Sequence, residues 1–113
     1  MIICKKGFMI ESSHFLPRYV GKCKQLHGHR WELEVFLEGD INPDTGMVVD
    51  FSQVKYIVQT RVIDVLDHKV LNDIIENPTA ENVVVWIQKV LSQHFDNVIR
   101  LRLWETADNY VEL

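Results

Sequence analysis

The sequence predicts a single α+β domain, an antiparallel sheet with two helices packed on one face. Three observations predict it. Apolar and polar residues alternate toward both ends of the 113-residue chain, apolar residues recur at helical spacing in the middle, and no repeat or linker divides the chain. The length allows one modest core. A composition of 47% hydrophobic and 25% charged residues excludes a disordered chain. A net charge of −4 argues against a general nucleic-acid-binding surface.

In the first strand the even positions Ile2, Cys4, Phe8 and Ile10 form an apolar face interrupted by Lys6, and their parity leads through Ser12 to His14. Cys4 reads as a small core residue. A loop marked by Pro17 and Gly21 follows. The second strand places His27, His29, Trp31, Leu33, Val35 and Leu37 on one face, and Gly28, Arg30, Glu32, Glu34 and Glu38 on the other. Asn42 to Gly46 is a turn cluster, and Met47 to Val49 is expected to return as a strand. Asp50 caps a first helix carrying Phe51, Val54, Val58, Val62 and Val65, which ends near Leu66 to Lys69. Pro78 and Thr79 open a second helix through about Leu91, with Val83, Trp86, Ile87, Val90 and His94 along its buried side. The next strand runs from Val98 to Thr106, with Ile99, Leu101, Leu103 and Glu105 on one face. A final strand is expected over Tyr110 to Leu113. About four strands cannot close a barrel alone, so open edges and assembly by edge pairing are expected.

The segment C-K-Q-L-H-G-H, Cys23 to His29, carries the chemistry. His27 and His29 leave the same face of a strand, and two neutral imidazoles held so are a partial ligand set for zinc. His14, at the end of another apolar face, supplies a third nitrogen. Three histidines leave one tetrahedral position open, the pattern of a catalytic rather than a structural site. For His27 and His29 the alternative is a pair of strand histidines bonded to backbone carbonyls. Cys23 is either a nucleophile or base that a nearby cation would push toward the thiolate, or a fourth ligand. Asp67 and His68 form either a polar helix end or a proton-relay pair in which Asp orients the imidazole. Glu105, a carboxylate on an apolar face, needs a donor partner: an arginine, or the amino-pyrimidine edge of a ligand. Between Phe15 and Arg30 the basic residues Arg18, Lys22, Lys24 and Arg30 occur with no acidic one, which suits an anionic substrate. Two cysteines make no disulfide framework, and the N-terminus lacks the apolar run of a signal peptide, so a cytoplasmic location is expected.

I-E-S-S-H ending at His14, C-K-Q-L-H-G-H, G-M-V-V-D-F ending at Phe51, L-D-H at Leu66 to His68, N-P-T-A-E-N at Asn77 to Asn82 and W-E-T at Trp104 to Thr106 occur in order. With these motifs the chain resembles the 6-pyruvoyltetrahydropterin synthase family over nearly its whole length, most closely the 6-carboxytetrahydropterin synthases of queuosine biosynthesis. The three residues between Cys23 and His27 are similar to that branch, whereas the biopterin branch has a longer spacer. Ile10 and Ser12 stand where the family usually has an aromatic residue and alanine. The resemblance implies the tunnelling fold, assembled as a homohexamer of two stacked trimers that closes an oligomeric barrel. It implies Zn2+ on His14, His27 and His29, Cys23 as general base, Asp67 and His68 as its relay partners, and Glu105 with Thr106 beside it as the pterin anchor. The implied reaction converts 7,8-dihydroneopterin triphosphate to 6-carboxytetrahydropterin, acetaldehyde and triphosphate. Other implied readings are 6-pyruvoyltetrahydropterin synthesis, aldolase-like cleavage (in branches where Glu replaces the cysteine), or non-catalytic binding of zinc or pterin.

Overall fold

In the computed structural model, which describes residues 1–113, the alternating segments pair into one sheet of order β1-β2-β3-β4, antiparallel throughout. The strands are β1 (Ile2–His14), β2 (His27–Glu38), β3 (Val98–Trp104) and β4 (Tyr110–Glu112). Between β2 and β3 lie α1 (Phe51–Val58), a π-helical stretch over Gln59–Ile63, α2 (Asp64–Leu66) and α3 (Ala80–Leu91). Both predicted caps form. The Asp50 carboxylate accepts the Ser52 N–H at 2.8 Å, and the Thr79 hydroxyl accepts the Asn82 N–H at 3.2 Å, satisfying helix-end donors worth about 1 kcal/mol each.

The helices cover one sheet face. Leu33, Leu101 and Leu103 from the sheet and Val58, Leu66, Ile87 and Leu91 from the helices have no solvent exposure. Each such side chain contributes roughly 1.5–3 kcal/mol by leaving water. The sheet's other face carries a polar network. Glu34, only 5% exposed, is held between Lys6 at 3.4 Å and Arg102 at 3.7 Å. Two partners are what make a buried carboxylate tolerable there.

Four expectations need correction. The even-numbered apolar face of β1 does not run unbroken, because a bulge lies between Lys5, opposite Val35, and Phe8, opposite Leu33. The extra residue switches parity. Ile3 therefore packs against the core, while Ile2 is exposed and Cys4 lies opposite Phe36 on the polar face. Burial, and next Glu34, hold the Cys4 thiol above its ordinary pKa. Met47 to Val49 is not a strand, because its polar groups are used locally: the Met47 carbonyl accepts the Asn42 N–H at 2.9 Å. In the first helical run the π-helical stretch shifts the phase of the buried stripe. Val62, Ile63 and Leu66 are buried, and the expected Val65 is exposed, as is Phe51. His94 lies beyond the end of α3, and Leu91 and Phe95 fill the core there.

The bulge depends on Gly7, whose φ of +84° lies in the left-handed region. Open space surrounds a Cβ built there, so Gly7→Ala isolates the backbone cost. It is expected to lower unfolding free energy by about 1–2 kcal/mol in urea titration, with the three-histidine geometry intact.

Candidate metal centre and active site

The β1–β2 register builds the site. Ile10 pairs with Trp31, Ser12 with His29 and His14 with His27, all on the core-facing side. Paired and diagonal side chains of antiparallel strands stand close enough to touch, and the imidazole centroids are separated by 4.6 Å (His14–His27), 5.1 Å (His14–His29) and 4.8 Å (His27–His29). One ring nitrogen from each histidine falls within a group no more than 4.8 Å across. Trp31 floors the cluster, meeting His14 at 5.1 Å and His29 at 5.5 Å.

Backbone carbonyls account for only one nitrogen of two rings. His14 Nδ1 lies 2.7 Å from the Pro78 carbonyl and His27 Nδ1 lies 2.7 Å from the Gln25 carbonyl. A neutral ring that donates from Nδ1 keeps the Nε2 lone pair free, the tautomer of a metal-ligating histidine. His14 Nε2 is buried and has no hydrogen-bond partner. An orphaned buried acceptor facing two further imidazoles is unfavourable unless something binds it. The residues therefore fit a metal ion.

Burial is the leading cause that lowers the pKa of both His14 and His29, favouring the uncharged rings a metal requires. Glu105 Oε2 stands 4.0 Å from His14 Nε2. No arginine pairs with Glu105 and no hydrogen bond within the chain engages its carboxylate, so the arginine alternative is not realised. Its backbone N–H is fixed by the Asn109 carbonyl at 3.0 Å. Glu105, Thr106 and His29 line one open cleft. Glu105 also lines a second cleft with Leu16, Tyr19 and Tyr110.

Asp67 and His68 sit on a segment that runs along the edge of β1. Asp67 Oδ1 accepts the Glu11 N–H at 2.8 Å, and the His68 N–H donates to the Glu11 carbonyl at 2.7 Å. Asp67 Oδ2 and His68 Nε2 are 3.6 Å apart, with the His68 ring largely exposed. His68 and His29 line the same cleft, with Arg30 and Lys69. Cys23 lies on a turn over Lys22–Lys24 as a free thiol. It is outside the group of metal-ligating atoms, which speaks against the fourth-ligand alternative. The basic loop is less bare than its local sequence suggests, because Arg18 meets Glu76 at 3.7 Å and Arg30 meets Glu11 at 3.7 Å.

The profile of the family described as 6-pyruvoyl tetrahydropterin synthase matches residues 3–113. The chain belongs to the 6-pyruvoyl tetrahydropterin synthase family. Among its relatives in that family, a protein of Synechocystis named 6-carboxy-5,6,7,8-tetrahydropterin synthase is 41% identical over 77% of this chain and 72% of that one. A dihydroneopterin monophosphate aldolase of Pyrococcus furiosus is 40% identical over 80% of this chain and 79% of its own length. The solved structure of Caenorhabditis elegans 6-pyruvoyl tetrahydropterin synthase superposes with a TM-score of 0.85 at 25% identity, covering 100% of this chain and 95% of that one. Thus the tunnelling fold holds for the protomer: four antiparallel strands with helices on one face.

Sequence reasoning missed the Pro78 and Gln25 carbonyls that fix the imidazoles. N-P-T-A-E-N contains Pro78, but a main-chain carbonyl leaves no residue signature at either position. The lowered histidine pKa values give a pH prediction. Above pH 6.5, the ordinary imidazole value, His14 and His29 are neutral folded and unfolded alike. Below it the unfolded chain binds protons that the fold resists, so stability falls with pH. Metal-free protein is expected to lose urea stability as pH drops from about 6.5 toward the lowered folded values, and His14→Gln to flatten that slope. An unchanged slope counts against buried neutral rings.

Proposed function

We propose that the chain is a zinc-dependent 6-carboxytetrahydropterin synthase, converting 7,8-dihydroneopterin triphosphate and water to 6-carboxytetrahydropterin, acetaldehyde and triphosphate. The observation that carries this reading is the cluster of His14, His27 and His29, with the unpartnered Nε2 of His14 4.0 Å from the Glu105 carboxylate. Three imidazoles suit Zn2+ and leave a position for a substrate oxygen. Zinc held there supplies Lewis acidity toward the side-chain hydroxyls.

The protein's own groups divide the remaining work. Glu105 accepts two parallel hydrogen bonds from the amino-pyrimidine edge and so orients the pterin, with Thr106 beside it. Cys23 takes a proton from the substrate side chain as general base. His68, steadied by Asp67, holds or returns a proton from the other side. Asp67 suits this role because its second oxygen is already anchored by the Glu11 N–H. Arg18, Lys22 and Lys24 give the triphosphate a cationic surround. The reading includes a homohexamer with sites shared between protomers, in keeping with a four-stranded sheet that cannot close a barrel by itself. No helix is long and apolar enough to cross a membrane, and the reading places the enzyme in the cytoplasm.

The Pyrococcus furiosus relative makes aldolase-like cleavage the second reading, and 6-pyruvoyl product formation is the third. The Cys23 to His27 spacing and the presence of cysteine rather than glutamate favour the first. Incubation with 7,8-dihydroneopterin triphosphate followed by mass spectrometry separates all three. Acetaldehyde with a carboxypterin is expected. A pyruvoyl product, or a pterin cleaved without a carboxyl group, would contradict the reading.

Cys23→Ala is expected to retain full zinc while turnover falls by about 10²–10⁴, the usual contribution of a positioned base. Loss of zinc in that variant would make Cys23 a ligand instead. Glu105→Gln is expected to weaken pterin binding by roughly 1.5–3 kcal/mol, the worth of a hydrogen bond to a charged group, read as a raised Kd for a non-reacting pterin.

A further inference from the structure

Residues 66–78 form a strap along the β1 edge, and every residue from Glu11 to Phe15 is bonded to it. Glu11 pairs with Asp67 and His68, the Ser12 hydroxyl donates to the Leu66 carbonyl, and the Ser13 N–H donates to the Lys69 carbonyl at 3.1 Å. His14 Nδ1 meets Pro78. Phe15 is different, because both of its main-chain groups are taken by one side chain. Asn72 Oδ1 accepts the Phe15 N–H at 3.0 Å, and Asn72 Nδ2 donates to the Phe15 carbonyl at 2.8 Å. The amide thus acts as one more strand partner just where β1 ends.

We propose that Asn72 is a positioning residue for the metal centre, its side-chain amide clamping the Phe15 main chain so that His14 keeps Nε2 aimed at His27 and His29. This rests on the three-histidine metal reading. The clamp is itself rigid: Asn72 sits on a turn over Leu71–Asp73 closed by Asp73 N–H to Val70 carbonyl at 3.0 Å, and the neighbouring Leu71 is 1% exposed. A short primary amide donates and accepts at once, which neither Ala nor Asp can do. His14 is one peptide bond from the clamped residue, and its other tether, Pro78, lies at the strap's far end. Freeing Phe15 removes the strap's hold on the C-terminal side of His14 and leaves the Ser13 bond to Lys69, the Pro78 tether and the β2 pairing. The same strap carries Asp67 and His68, so Asn72 ties the ligand and the relay pair to one frame.

The test uses the full chain, stripped by a chelator and refilled with cobalt(II) alone. Asn72→Ala is expected to weaken cobalt(II) binding about 10-fold or more, as loss of a supporting partner around a ligand does, and to alter the visible d–d spectrum. Asn72→Asp keeps the acceptor but sets a second acceptor against the Phe15 carbonyl, so a shift in the same direction is expected, and it carries the comparison if the alanine variant does not fold. Asn97→Ala removes a bond to the Glu38 carbonyl at the opposite end of β2 and serves as the control. It is expected to lower thermal stability without moving the cobalt affinity or spectrum. Asn72 variants that melt earlier yet keep the wild-type affinity and spectrum would overturn the inference. Wild-type protein that binds no cobalt(II) would overturn the metal reading itself, and the inference with it.

Discussion

The pairing of His14 with His27 across β1 and β2 is the constraint on which the site depends. Side chains alternate along a strand, so a slip of one residue would send His14 to the opposite face from His27 and His29. The register is held because the same slip would turn Phe8 and Ile10, buried opposite Leu33 and Trp31, out of the core. The hydrophobic core therefore fixes the three-histidine cluster as directly as any hydrogen bond does. The bulge at Gly7 belongs to the same constraint. Without the extra residue, Ile3 and Phe8 could not both face the core in this register.

The site is electrostatically costly to fold. A nearly fully buried His14, two neighbouring imidazoles and the Glu105 carboxylate crowd one end of the sheet. Burial favours the neutral rings, and carbonyls at Pro78 and Gln25 fix two of them with Nε2 free. What remains unsatisfied is an acceptor that can no longer reach water. A bound cation resolves that, and it also gives the nearby carboxylate a compensating charge. Such local frustration within an otherwise consistent fold is where function is expected.

Much of this was legible in the sequence because the periods were clean. β2 alternates without interruption, so its two histidines and their shared face could be read directly. The Glu105 face was equally plain from Ile99, Leu101 and Leu103. The parity of β1 pointed His14 inward correctly, yet its first half was misread because a bulge leaves only a lysine and a glycine as its trace. The π-helical stretch defeated the expected stripe at Val65 for the same reason: one inserted residue changes every position after it. The β-like Met47 to Val49 was lost to a turn that satisfies its own backbone. Ser12, small and polar on an otherwise apolar face, has a physical role in the fold, since its hydroxyl bonds the Leu66 carbonyl. The strap was invisible because its bonds run mostly through main-chain atoms of residues far apart in sequence.

The central claim is that three imidazoles, brought together by strand register, hold one metal ion per chain. Metal analysis of the purified protein beside its His29→Ala variant tests it most directly. The account predicts about one zinc per chain in the wild type, the stoichiometry of a three-histidine site, and its loss in the variant with the fold retained. Full zinc occupancy in the folded His29→Ala protein would contradict it.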